Sequence, residues 1–400
     1  MKRIKLAIFT GNRAEYGILQ PIIKYLNRDQ RYKVDLIVSG GHINKEYGAT
    51  INQIRNDGHK NITVINTPSM DTNHMDTLVN FSSLMNDMAR FIQEKKPDFV
   101  IVYADRYEGF STVITSALLN TPIIHIEGGD KTEGGALDDS MRHAMTKLSH
   151  IHFVTNLEAH NRVLGLGEES WRVFTAGLPS LDEVSDKNYA DLKYIENCYM
   201  KNRDIKELIV FTIHPMPNDL ALTKKSTEIA IAAVDKYLKN YPESQLIITY
   251  PNNDPGSNIV IEILKKYAID NERVILEKSL GRWLYHGLLA LNSPEYRVVC
   301  FGNSSSGIKE TAFLGCPNIS IGERQEGRLR DANNIDVDYN IEEIYASLEI
   351  ALKSEEYNFT NINRTSKYFF GGSGKTIAEK VFNIYQTRSK SEILNKKITI

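Results

Sequence analysis

The sequence predicts an α/β protein made of two Rossmann-like domains facing across a cleft. Three observations predict it. Short apolar runs of strand length alternate with segments of helical periodicity, the pattern of right-handed βαβ crossovers in a parallel, doubly wound sheet. The alternation stops at a polar stretch near Gly177–Asn188 and then restarts. The chain has 400 residues, more than one ordinary domain needs, so two are expected.

The first domain, residues 1–176, reads as strands at Leu6–Thr10, Val34–Ser39, Phe99–Tyr103, Ile123–Ile126 and Ile151–Thr155. Helical patterns fall between them at Tyr16–Leu26, Met75–Glu94 and Gly109–Leu119. The second domain, residues 177–375, reads as strands at Leu208–Thr212, Gln245–Tyr250, Arg273–Leu276, Tyr296–Phe301 and Pro317–Ile321, with a helix at about Ser226–Tyr241. A helix follows over 376–388. The charged, polar tail 389–400 reads as loose.

Composition excludes several classes. The formal net charge of -2 leaves no basic excess for nucleic acid. The basic start Met1-Lys2-Arg3 precedes an apolar stretch that stops at Thr10-Gly11, too short for a signal peptide, and no run has transmembrane length. Cys198, Cys300 and Cys316 are odd in number and lack metal spacing, so they read as reduced thiols of a cytoplasmic protein. The absence of HExxH, CxxC and EF-hand patterns gives no support for a metal, and no cofactor is implied. Gly371-Gly372-Ser373-Gly374-Lys375-Thr376 keeps only the second half of a P-loop and follows no apolar strand. It reads as a helix-capping loop that can also touch a ligand.

Chemistry concentrates at strand ends. His125-Ile126-Glu127-Gly128-Gly129-Asp130 closes an apolar run, and Asp138-Asp139-Ser140-Met141-Arg142-His143 follows closely. Asp105-Arg106 closes another run. Clustered carboxylates raise some pKa values and lower others, which lets one site supply both acid and base. The bland alternative is a pair of local ion pairs, Asp138 to Arg142 and Asp139 to His143, four residues apart on a helix. Arg13, in Thr10-Gly11-Asn12-Arg13, either holds an anion at a helix start or is a solvated loop arginine. Gly302-Asn303-Ser304-Ser305-Ser306-Gly307 is either a phosphate cradle or an N-cap cluster. Glu310, about a helical turn further on, can accept from ribose hydroxyls. Arg324 and Arg328 can neutralise a diphosphate or be surface charge. His214, extended before Pro215, can serve phosphate binding or acid–base work, or be structural.

Taken together, Gly11-Asn12-Arg13-Ala14-Glu15-Tyr16, Asp105-Arg106, His125-Ile126-Glu127-Gly128-Gly129, Asp138-Asp139-Ser140-Met141-Arg142-His143-Ala144 and Gly302-Asn303-Ser304-Ser305 resemble the hydrolysing UDP-N-acetylglucosamine 2-epimerases, in order along nearly the whole chain. The resemblance implies GT-B architecture, with UDP held mainly by the second domain and a final helix crossing back to the first. It implies anti elimination of UDP across C1–C2 to 2-acetamidoglucal, then hydration to N-acetylmannosamine, for sialic-acid-type synthesis. It places Asp105, Glu127 and Asp138 as essential carboxylates, with Asp139 and Arg142 beside them. It places Arg13, Ala14, Arg106, His214, Asn252, Gly302, Ser304, Ser305, Glu310 and Arg324 around UDP, Ser279 and Leu280 at the uracil, and His214 also in catalysis. A cytoplasmic homo-oligomer, dimer or tetramer, is implied.

Three departures stand out. The loop from Glu127 to the acidic pair is two residues longer than in the animal enzyme. Tyr103-Ala104 precedes Asp105 where many relatives have His-Gly. The kinase domain of the animal bifunctional protein is absent, which points to a free-standing bacterial-type enzyme. The first two lie near the sugar end and keep open a second substrate, UDP-N,N'-diacetylbacillosamine of the legionaminic acid pathway. A GT-B glycosyltransferase and a non-catalytic nucleotide-sugar-binding protein are the more distant alternatives.

Overall fold

The computed structural model describes residues 2–43, 50–68, 74–132, 137–200, 204–216, 218–252, 254–269, 271–357 and 364–399. The chain divides into two compact units. The first comprises residues 1–131, 135–182 and 368–400, and the second largely 183–367.

The first unit carries seven strands: β1 Ile4–Thr10, β2 Tyr32–Val38, β3 Ile62–Val64, β4 Phe99–Tyr103, β5 Ile123–Ile126, β6 Ile151–Val154 and β7 Val173–Thr175. Their spatial order is β3-β2-β1-β4-β5-β6-β7, and each pairing is parallel. β4, β5 and β6 are buried at every position. Helices cover both faces, which is why these strands read as continuous apolar runs rather than alternating ones. The second unit carries β8 Glu207–Thr212, β9 Ser244–Thr249, β10 Val274–Glu277, β11 Arg297–Gly302, β12 Asn318–Ile321 and β13 Asn334–Val337. Its order is β10-β9-β8-β11-β12-β13, again all parallel. Phe211 and Phe301 stack 4.9 Å apart between the two central strands. Three short strands, β3, β7 and β13, are additions to the sequence reading.

The first unit is closed by the end of the chain. Helix Ser373–Thr387 lies on helix Arg13–Arg28, where Tyr32 donates to the Ala378 carbonyl at 2.5 Å and Arg31 pairs with Glu379 at 2.6 Å. The P-loop look-alike is the start of this helix. The carboxylate of Asp182 accepts from the Ser373 and Gly374 N–H groups at 2.9 and 2.8 Å, so the protein supplies its own anion there.

The tail is not loose. Ser389 and Glu392 form a capping box at the start of helix Lys390–Leu394. The guanidinium of Arg172, 1% exposed, donates to the carbonyls of Ile393, Glu392 and Asn395 at 2.7, 3.1 and 3.2 Å. Lys396 reaches the carbonyls of Lys147 and Ser149 and the buried carboxylate of Glu168. Charged residues that look solvated in the sequence are thus the anchors.

Candidate active site

In both units the strand order reverses at the first strand. Connections therefore leave it in opposite directions, and a crevice opens at the carboxyl ends of β1 and β4, and of β8 and β11. Most of the sequence-predicted residues follow strands near these two ends, while Ser279 and Leu280 follow β10 and Asp138 stands on a helix.

In the first unit, β4 and β5 both end in a left-handed residue that is not glycine. Ala104 has φ of 55° and Glu127 has φ of 67°. Such conformations cost about 1 kcal/mol or more and persist only where surroundings enforce them. Backbone N–H groups of Ala104 and Glu127 donate to the Ile126 and Phe153 carbonyls at 2.9 Å. His125 adds a strut: its Nε2 lies 2.7 Å from the Ala104 carbonyl, which makes Nε2 the protonated nitrogen. His125 is fully buried, and burial pulls its pKa down to about 3, so the ring is neutral. The histidine of the conspicuous motif therefore shapes the backbone rather than moving a proton.

The carboxylates fall into two environments. Glu127 is 3% exposed and accepts from the hydroxyl of Tyr103, which stands on the adjacent strand. Asp105 and Asp139 share the guanidinium of Arg142, which also donates to the Asp130 carbonyl at 2.9 Å. Arg142 is fully buried. Burial alone would lower its pKa, but Asp105, Asp130 and Asp139 outweigh burial and the net shift is upward. Asp139 meets Arg142 three residues on, a pairing the sequence reading did not include, and the arginine also turns inward to Asp105. Asp138 is exposed in the first turn of helix Leu137–Leu148. Arg13 is half-buried as the first residue of helix Arg13–Arg28, Ala14 beside it is exposed, and Arg106 pairs with the buried Glu108 at 3.2 Å.

In the second unit, His214 and Asn303 are locked together. The His214 N–H donates to Asn303 Oδ1 at 2.7 Å, and Asn303 Nδ2 returns a bond to the His214 carbonyl at 2.9 Å. The Asn252 N–H donates to His214 Nδ1 at 3.1 Å. In the neutral ring the proton is then on Nε2, which makes His214 a hydrogen-bond donor at the strand end. Arg324 and Gln325 both donate to the Asn303 carbonyl, at 3.0 and 2.9 Å. Gly302 has φ of 131°, and a Cβ there would lie 1.9 Å from the Thr212 carbonyl oxygen, so only glycine allows β11 to turn here. Ser304 Oγ lies 2.9 Å from Ser306 Oγ, itself 2.9 Å from the Tyr285 hydroxyl. Helix Ser305–Lys309 spans five residues, so side chains and Arg324, more than a helix dipole, make this end polar. Glu310, 6% exposed, lies 3.2 Å from His286 Nε2. Ser279 and Leu280 follow β10, two strands from β8; Ser279 Oγ accepts from the Gly281 N–H at 3.1 Å.

Asn303, Gln325, Tyr285 and the Tyr103 hydroxyl are site residues that sequence reasoning did not single out. Asn303 carried a signal, as an amide directly after the glycine that ends a strand, and Tyr103 was marked only as a departure from relatives, not for its hydroxyl. Among the described residues no cluster of three or more His, Cys, Asp or Glu side chains is placed to hold a metal ion.

Two parallel sheets of one strand order, with polar groups at both crossover points, define an α/β enzyme of GT-B-like fold. The chain belongs to the UDP-N-acetylglucosamine 2-epimerase family, whose model of that description matches residues 24–381. It is 32% identical over 353 residues to the GDP/UDP-N,N'-diacetylbacillosamine 2-epimerase (hydrolyzing) of Campylobacter jejuni, covering 87% of this chain and 88% of that one. It is 30% identical over 394 residues to the UDP-N,N'-diacetylbacillosamine 2-epimerase (hydrolyzing) of Legionella pneumophila, covering 98% of each. Its fold matches the crystal structure of the UDP-GlcNAc 2-epimerase from Neisseria meningitidis bound to UDP-GlcNAc with a TM-score of 0.75 at 18% identity, covering 95% of this chain and 100% of that one.

Proposed function

We propose that this protein is a hydrolysing UDP-N-acetylglucosamine 2-epimerase that releases UDP and N-acetylmannosamine. The carrying observation is the division between two strand-end sites: carboxylates at β4 and β5, one buried and one half-buried, and cationic and N–H donors at β8, β11 and β12. The donors suit a diphosphate whose charge grows as the C1–O bond breaks, with Arg324 and the His214 Nε2–H as the named groups. Ser304, Ser305, Gly302, Asn252, Arg13, Ala14 and Arg106 complete the proposed UDP contacts, with Glu310 at the ribose and Ser279 and Leu280 at the uracil.

The C2 proton is weakly acidic until C1–O cleavage runs ahead. Glu127 is the proposed group that removes it, because it stands buried at the end of β5 with its carboxylate held by the Tyr103 hydroxyl. Asp105 and Asp139 are held instead by the guanidinium of Arg142. Elimination sends the C1–O electron pair to UDP and the C2 proton to Glu127, leaving the glycal. Water then adds at C1 and a proton returns to C2 from the opposite face, with Asp138 as a further essential carboxylate.

A second substrate, UDP-N,N'-diacetylbacillosamine, is favoured by one observation: the two relatives above carry that sugar in their names. The proposal includes a homo-oligomer, dimer or tetramer, in the cytoplasm. Met75, Leu78 and Val79, spaced along one exposed stripe of helix His74–Lys95, support contact with a second copy. No helix among the described residues is long and apolar enough to cross a membrane. The deciding experiment is NMR of the products from each UDP-sugar in deuterated water. Deuterium at C2 of a free 2-epimerised sugar is expected; an intact nucleotide sugar in both incubations overturns the proposal.

A further inference from the structure

Beneath the first turn of the first unit lie two buried acids that the chemistry above does not use. Glu15 is 4% exposed and Glu108 is fully buried. The Gly11 N–H donates to Glu15 Oε2 at 2.6 Å, while the Glu15 N–H donates to Asn12 Oδ1 at 3.0 Å. These reciprocal bonds resemble a capping box moved one residue upstream, so they clamp the segment that ends in Arg13. Glu108 packs against the same segment, since a Cβ on Gly11 would touch its side chain at 3.2 Å. The turn at Gly40 closes the other side. Gly40 has φ of 58°, and a Cβ there would lie 2.6 Å from the Gly11 carbonyl oxygen and 2.9 Å from Glu108 Oε1.

The two acids are unequal. Glu108 has a cation, Arg106, at 3.2 Å. Glu15 has no salt bridge, and its second oxygen is buried without a hydrogen-bond partner among the described residues. Burial and the neighbouring carboxylate of Glu108 both work against an ionised Glu15. We infer that Glu15 holds a proton and is the positioning residue of the site, fixing the Gly11–Arg13 turn and through it the guanidinium of Arg13. Burial first, then the charge of Glu108, push the Glu15 pKa up to about 8. Asp105 adds to this, while the Gly11 bond and Arg106 oppose it. A neutral acid accepts the Gly11 N–H and holds the turn without adding a second negative charge beside Glu108.

The inference rests on Arg13 facing UDP, and the test separates the two. Infrared difference spectra of the full-length protein at pH 7 should show the carbonyl stretch of a protonated carboxyl group in the wild type, missing in Glu15→Gln. Glu15→Gln, whose amide imitates the neutral acid, should keep KM for the UDP-sugar within about twofold. Glu15→Ala should raise KM about tenfold while kcat changes little. Absence of the carbonyl band overturns the inference, as does a Gln variant as impaired as Ala. If Arg13→Ala leaves KM unchanged, Arg13 does not face UDP, and the infrared band alone then decides the protonation of Glu15. Should Glu15→Ala fail to fold, the band and the Gln variant still decide it.

Discussion

The Tyr103 hydroxyl donates to the Glu127 carboxylate from the neighbouring strand, where Tyr103 is paired with Ile126 one residue before the glutamate. Tyr103→Phe is expected to lower kcat about tenfold by loosening Glu127, and Glu127→Gln to lower it about a thousandfold or more. UDP affinity, measured by calorimetry, should move little in either. Full turnover in Glu127→Gln would remove this carboxylate from the mechanism.

Asp105→Asn should likewise abolish turnover with UDP binding kept. Its partner behaves differently. Arg142→Leu leaves Asp105 and Asp139 without their shared cation in a buried setting, so a loss of about 3 kcal/mol in unfolding free energy is expected besides the loss of activity. Urea unfolding checks it, and an unchanged midpoint would show that Arg142 serves only chemistry.

Arg324→Ala is expected to weaken UDP binding by about 10- to 100-fold, the worth of one charge-assisted contact to phosphate. It also removes a donor to the Asn303 carbonyl, but Gln325 still donates there, so the fold should survive. Wild-type affinity in this variant would place Arg324 away from UDP.

Acid should destabilise the protein well before its carboxylates titrate. Burial holds the pKa of His42 and His125 near about 3 and that of His150 near about 4. The unfolded chain binds these protons at about 6.5. Below that pH the unfolded state takes up protons that the native state refuses, so stability is lost as pH falls from about 6.5, at about 1.4 kcal/mol per histidine by pH 5.5. Glu15, with its raised pKa, has the opposite sign: its contribution is full below about 4.5 and fades as pH rises through about 8. Three histidines outweigh one glutamate, so the urea midpoint should be lower at pH 5.5 than at 7.5, and His125→Asn should shrink the difference. A higher midpoint at pH 5.5 would contradict the buried neutral histidines.

Deleting residues 389–400 removes three of the carbonyls that Arg172 uses, leaving it the His150 carbonyl and the Glu169 carboxylate, and removes the ammonium of Lys396 that meets Glu168. A buried guanidinium that loses those acceptors costs about 1–3 kcal/mol in unfolding free energy, read by urea unfolding. A truncated protein as stable as the full chain would show the tail to be dispensable.

The central strands were legible because burial on both faces leaves no polar alternation in Phe99–Tyr103 or Ile123–Ile126. The three strands left unread are short, and Ile62–Val64 is half-buried throughout, so no apolar run marks them. The polar strand ends were legible as Gly, Asp, Glu and Ser after apolar runs. What the residues lacked was pairing. Arg142 meets Asp139 three residues before it and Asp105 from the end of another strand, and the second partner has no local spacing to announce it. Nothing in the sequence marks Glu15, Glu108 or Arg172 as buried, since a residue type does not report its own desolvation. The tail reads as loose because the charge of Lys396 does not show the carboxylate of Glu168 that it meets.

Both sheets follow one strand order, so the same chain path produces a polar crevice twice. One copy is furnished with acids and the other with donors. Damage should therefore sort by chemistry: substitutions of Asp105 and Glu127 would yield enzymes that hold nucleotide and stall, and those of the donors, Arg13 and Arg106 included, enzymes that react once saturated but bind poorly. A mutational survey of this protein would then fall into two kinetic families, acids and donors, rather than grade with distance from a single centre.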